Sequence, residues 1–248
     1  MVDPAAARTV RRRWWWSLWG LMAVSAVGIA AVFVPPYLTG SSYAPIDRSI
    51  VGYYASLVVH AGPAGLTLII GPLQFVPRLR TRYPRLHRIA GRVYLVSVVA
   101  ASAAALYATT VSPSGFPLQV AFFLLTAAWL YTAAQAYRTI RRGEVQLHRI
   151  WMIRNYALTF AAVTLRIYLL AGLALAKVVP SLTFRDVYTT AGWAAVLGNV
   201  LVAEYVIVHR TLERSTRRRR DASASVTVAG TAGTAGTAGT AASTAQRA

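Results

Sequence analysis

Three histidines stand where imidazole chemistry could be assembled. His60 lies in a long uncharged apolar run. His87 heads the segment His87-Arg88-Ile89-Ala90-Gly91-Arg92-Val93-Tyr94. His148 heads a longer segment that carries Arg154 and Arg166. Imidazoles can ligate a haem iron or a metal, or carry protons. Guanidiniums fit haem propionates, lipid headgroups or a quinone oxygen. The chain has no cysteine, which excludes disulfides, iron–sulfur clusters, thiolate metal sites and covalent c-type haem attachment. A metal site has no local His-x-x-x-His spacing to start from. It would have to gather His60, His87 and His148 from separate segments. The fourth histidine, His209, sits beside Arg210 and reads as interfacial.

Plotted at 100° per residue, these groups fall on faces. His148, Met152, Asn155, Thr159, Ala162 and Arg166 follow steps of 4, 3, 4, 3 and 4, one stripe about 27 Å long at ~1.5 Å per residue. Tyr53, Ser56, His60, Thr67, Gly71 and Gln74 share a second face, and His87, Gly91 and Tyr94 a third. Such stripes glue membrane helices together through hydrogen bonds and small residues. That role explains Ser56, Thr67, Gly71 and Thr159 well, and the histidines and Arg166 poorly.

Depth sorts the groups into two layers. His87 and His148, with Gln74 and Arg154 near them, belong at the cytoplasmic surface. His60 and Arg166 belong to the outer half. Glu204 is the only carboxylate inside any span. It is placed to pair with Arg154 or Arg92 and poorly placed for Arg166. An intramembrane guanidinium without a carboxylate needs backbone carbonyls, water or an anionic ligand. Snorkelling to the outer interface is the plain alternative for Arg166.

The elements that must position these groups are membrane helices. The 248 residues are 56% hydrophobic and only 13% charged, against about 45–50% and about 25% in soluble domains. That excludes a soluble enzyme and a disordered chain. Six apolar runs are long enough to span a bilayer: residues 14–38, 50–76, 89–111, 116–137, 150–176 and 189–208. Lys and Arg number 26 against 7 acidic residues, for a net charge of +19. The arginines cluster before the first span, between the second and third, between the fourth and fifth, and after the sixth. The alternate connections carry few charges. This is a topology signal rather than a nucleic-acid footprint, so no nucleic-acid partner is expected and both termini are placed in the cytoplasm. Six is the only count that puts every arginine cluster on one side.

The expected fold is therefore an all-α integral membrane bundle of six helices. Residues 1–13 form a basic cytoplasmic arm, 14–210 the membrane domain, and 211–248 a basic then Ala/Gly/Thr-rich, disordered tail. The first span is too long for a cleavable signal and lacks a small-residue cleavage site before Pro35-Pro36. Trp14, Trp15, Trp16 and Trp19 read as an interfacial anchor. The expected setting is the cell (inner or plasma) membrane, with anionic headgroups against the arginine-rich face. Protein partners are not indicated.

The segment from His87 to Tyr94 and the segment from His148 to Arg166, preceded by His60 and Gly71-Pro72-Leu73-Gln74-Phe75, resemble the family of predicted bacterial membrane proteins called domain of unknown function 2306. Three separated motifs recur in order over roughly residues 48–176. The resemblance implies a multi-pass membrane protein and brings no established activity. Its motif residues are His60, His87, Arg88, Gly91, Arg92, His148, Arg154 and Arg166, the same groups that depth selects as a cofactor-binding set.

Several functions remain open at this level. A b-type haem needs facing imidazoles at one depth, small residues near the ring and cations for the propionates. His87, His148 and Gly91, with Arg88, Arg92, Arg149 and Arg154, offer these, while His60 lacks a histidine at its own depth. A non-haem metal or quinone-linked site, or an accessory role in oxidase assembly, is a second class. A transporter or channel along the polar stripes is a third, although Pro63 and Pro72 interrupt one helix without any repeated halves. A lipid-binding structural protein is a fourth. Nothing resembles a hydrolase triad, a P-loop or a dinucleotide-binding turn, so the sequence leans away from an enzyme without deciding the matter.

Overall fold

A computed structural model describes residues 4–41, 46–209 and 211, with side chains from Arg13 onward. The tail expected over 211–248 lies outside the described residues apart from Thr211. The elements are α1 (Pro4–Phe33), α2 (Pro35–Thr39), α3 (Tyr53–Gln74), α4 (Pro77–Arg82), α5 (Pro84–Val111), α6 (Phe116–Arg141) and α7 (Val145–Ala176), followed by α8 (Phe184–His209). Among the described residues six helical stretches are long and apolar enough to cross a membrane, the first being Arg13–Thr39. The all-α, six-span bundle is the fold.

Prolines set several boundaries. Pro35, Pro77 and Pro84 open α2, α4 and α5 at N1, where the missing N–H costs nothing and φ is already helical. Pro35-Pro36 also ends α1 at Phe33, so the first span is two helices rather than one. Gly143, with φ 77°, closes the short turn between α6 and α7, a left-handed position that disfavours any side chain.

Three helices begin earlier than hydropathy indicates. α5 starts at Pro84, α7 at Val145 and α8 at Phe184, rather than at 89, 150 and 189. His87 and His148 therefore lie within the first turns of their helices. The reason is physical: a helix continues into the headgroup region on polar residues that an apolar window does not count.

α3 packs chiefly on α5, and α6 on α7, while α5 meets α6, and α1 meets α3 and α7. The core gathers Tyr94, Val98, Ala101, Trp129, Met152 and Tyr156. Large apolar residues such as Leu21, Val96 and Leu170 are more than half exposed, as lipid-facing positions should be. Pro72 lacks the N–H that would bond the Leu68 carbonyl. The Tyr156 hydroxyl donates to that carbonyl instead, at 3.3 Å. Its ring lies directly over Gly71, where a Cβ would overlap it.

Cross-ties define two ends. At the arginine-rich end Trp19 Nε1 donates to the Pro72 carbonyl. At the other, the Tyr53 hydroxyl reaches Ser112 Oγ and the Tyr107 hydroxyl donates to the Val51 carbonyl. Compactness divides the chain after Ala203. In the unit that starts at Glu204, the rings of Tyr205 and His209 meet edge-on at 5.8 Å.

Candidate functional site

Within residues 1–203 the polar groups form three layers. The one farthest from the arginine-rich end, termed outer for that position alone, surrounds a cavity of about 230 Å³. α3 contributes Tyr53 and His60 to its wall, α6 Phe122 and Trp129, and α7 Thr159 and Arg166. His60 Nδ1 lies 2.9 Å from the Ala101 carbonyl. A carbonyl can only accept, so this nitrogen carries the proton and Nε2 is the one left for a ligand.

Arg166 enters the same cavity. Its Nη1 donates to the Ala162 carbonyl at 2.7 Å, and its Cζ stands 4.8 Å from the Phe33 ring centroid. Its Nε is buried with no hydrogen-bond partner. No Asp or Glu is among the described residues that line the cavity. A guanidinium N–H withdrawn from water without an acceptor is costly. Arg166 does not project to the outer interface as a snorkelling side chain would. It is tied back one turn to its own helix.

The middle layer is fully paired and buried. The Tyr94 hydroxyl donates to Asn155 Oδ1 at 2.7 Å and lies 2.8 Å from Thr159 Oγ1. Trp129 Nε1 donates to Thr159 Oγ1 at 2.9 Å. Asn155 Nδ2 donates to the Trp129 carbonyl and to Thr132 Oγ1, each at 2.8 Å. Such a network is rigid because every member is satisfied. It interposes two aromatic rings between the outer cavity and the histidines at the basic end. Sequence spacing finds Tyr94, Asn155 and Thr159. It misses Trp129 and Thr132, although Thr126, Trp129, Thr132, Ala136 and Thr139 form a buried small-and-polar stripe on α6. It also misses Tyr37 and Tyr188 in the cavity wall, since one follows the Pro35-Pro36 break and the other precedes the expected sixth span.

The inner layer holds His87, His148 and Gln74. His148 Nδ1 donates to the Ala136 carbonyl at 2.8 Å, again leaving Nε2. His87 lies within electrostatic reach of His148 and Arg80. His87 Nδ1 and Gln74 Nε2 are buried without hydrogen-bond partners. Gly91 sits beside Gln74, and a Cβ there would stand 3.5 Å from Gln74 Oε1.

The arginines offered as cations for haem propionates differ in exposure. Arg88 and Arg92 are exposed on α5, and Arg88 Nε is bonded to the Pro84 carbonyl of its own helix at 3.3 Å. Two successive i,i+4 positions share one face, and that face is not the Gly91–Tyr94 face. Arg154 stacks over the Trp151 ring at 4.7 Å. Nor do the three histidines converge, because His60 belongs to the outer layer. Among the described residues no group of three or more His, Cys, Asp or Glu side chains is arranged to hold a metal.

A family model described as "Predicted membrane protein (DUF2306)" matches residues 57–207, more than half of the sequence, and the chain belongs to that family of membrane proteins of unknown function. The match runs beyond the motif segments and takes in most of the sixth span. No curated protein and no solved structure matches the chain.

Proposed function

We propose that this membrane protein binds a small aromatic ligand in its outer cavity. The ligand is a flat ring bearing an acceptor oxygen, a chemistry shared by quinone headgroups and aromatic carboxylates. One observation carries the reading: Arg166, whose buried Nε has no hydrogen-bond partner, lines a cavity with no carboxylate among its described lining residues. A planar guanidinium is suited to a carbonyl or carboxylate oxygen. Aromatic walls and a few convergent polar groups are the usual make-up of a small-molecule site. On this reading Arg166 donates to the ligand oxygen and His60 Nε2 faces the ring's other side. The paired layer at Tyr94 is the floor of the site and argues against a continuous polar path, which weighs against a channel.

The test is the unfolding temperature of the detergent-purified protein with benzoate and with menadione, a neutral naphthoquinone. A rise with either probe that is absent in Arg166→Gln supports the reading. No rise with either overturns it. Benzoate alone would assign an anionic ligand, and menadione alone a quinone.

A second reading has one observation in its favour. A haem-ligating imidazole is commonly held by its Nδ1–H on a backbone carbonyl, and His148 is held so, with His87 nearby. Haem b between them would give a Soret band that shifts on dithionite reduction. Protein purified from haem-replete cells without that band would remove this reading and leave the outer cavity untouched. On either reading the arginine-rich end lies in the cytoplasm, against anionic headgroups of the cell membrane.

A further inference from the structure

A larger concavity lies elsewhere, on the surface at the arginine-rich end. It is a groove of about 960 Å³ whose walls include Arg13, Trp16 and Trp19 of α1, then Val76, Pro77 and Arg78 at the start of α4. None of the residues lining it is acidic. Trp16 and Trp19 meet edge-on at 5.7 Å, and Trp19 Nε1 anchors the pair to the α3 backbone. The walls are therefore a fixed indole-lined surface with a guanidinium on either side.

We infer that this groove is a binding site for an anionic phospholipid, with Arg13 and Arg78 on the phosphate. Two features select a lipid over a free anion. Most of the lining is apolar, which a soluble phosphate would leave wet and an amphiphile would cover. The apolar surface also continues along both helices that flank the groove, where Leu18 and Leu73 are 59% and 45% exposed. Tryptophan prefers the interfacial depth at which a glycerophosphate sits. Arginine gives phosphate two parallel hydrogen bonds, which a point charge does not. The inference rests on the placement of the arginine-rich end among headgroups. It does not depend on any ligand of the outer cavity.

The test is lipid retention by the delipidated, full-length protein in detergent, measured by native mass spectrometry with added phosphatidylglycerol, phosphatidylcholine or inorganic phosphate. Phosphatidylglycerol should be retained over phosphatidylcholine. Arg13→Ala and Arg78→Ala should each weaken that retention about fivefold, the factor that about 1 kcal/mol per basic residue gives. The double variant Arg141→Ala/Arg142→Ala removes twice the charge from exposed positions of the same basic end and should change it little. Arg13→Lys and Arg78→Lys, which keep the charge and lose the fork, form a second pair should an alanine variant fail to fold. They should also weaken retention. Equal loss in the Arg141/Arg142 variant would reduce the site to diffuse attraction and overturn the inference. So would equal retention of phosphatidylcholine, or displacement of the lipid by millimolar phosphate. An inverted topology in reporter fusions would refute the orientation alone and leave these retention values standing.

Discussion

Arg166 and Gly71 show how differently two residues on marked stripes come to matter. Arg166 was legible in the sequence as a guanidinium too deep for its acidic neighbours, and the structure gives it a cavity and one carbonyl. Gly71 was legible only as a small residue on a polar face. The structure shows the Tyr156 ring lying on its Cα, with Phe75 edge-on to that ring at 5.6 Å. Gly71→Ala must push the ring aside. We expect it to cost about 1–3 kcal/mol, the range for overpacking, read as a lower unfolding temperature in detergent. Tyr156→Leu combined with Gly71→Ala should recover part of that loss. Asn155 makes a different prediction. Asn155→Leu removes its bonds to Tyr94, Thr132 and the Trp129 carbonyl from a buried layer, while Tyr94 keeps Thr159 and Thr132 keeps the Ala128 carbonyl; we expect it to cost about 1–3 kcal/mol in all. A variant as stable as the parent would mean that water or rearrangement fills that layer. Trp129 was not legible at all, because one indole in an apolar span looks the same whether it faces lipid or a hydroxyl.

At the scale of elements, the six runs and their order were readable because hydrophobic length and arginine clustering are coarse properties. The ends were not, because helices extend past the apolar core on Pro-led polar turns such as Pro84–Leu86. α3 runs unbroken through Pro63 and Pro72, and the hydrogen bond that Pro72 omits was half legible. Pro72 announces a missing N–H, but nothing in the sequence says that Tyr156, 88 residues from Leu68, supplies the substitute donor. That exchange can be measured. Tyr156→Phe should cost about 1 kcal/mol by leaving the Leu68 carbonyl unpaired. In a Pro72→Ala background the restored N–H takes that carbonyl, so the same substitution should cost less. A double-mutant cycle with no coupling would show that the carbonyl finds another partner.

Across the unit that ends at Ala203, one asymmetry stands out: arginines at one end, and a polar cavity whose wall includes Tyr53, Ser112 and Ser114 towards the other. Reporter fusions after residue 220 and in the 112–115 loop should report opposite compartments, the first cytoplasmic. The same compartment for both would contradict six spans. Depth along the spans set His60 apart from His87 and His148; less legible was the paired network Tyr94–Asn155–Thr159 between them, since spacing along one helix does not name a partner on another. On the proposed function Arg166 holds a ligand oxygen in the outer cavity through its planar fork. The decisive comparison is the affinity of the parent and of Arg166→Lys for whichever of benzoate or menadione binds, with unfolding temperature as the folding control. The variant should fold and lose about tenfold or more in affinity, ~1.4 kcal/mol. Equal affinity in a folded Arg166→Lys would contradict it.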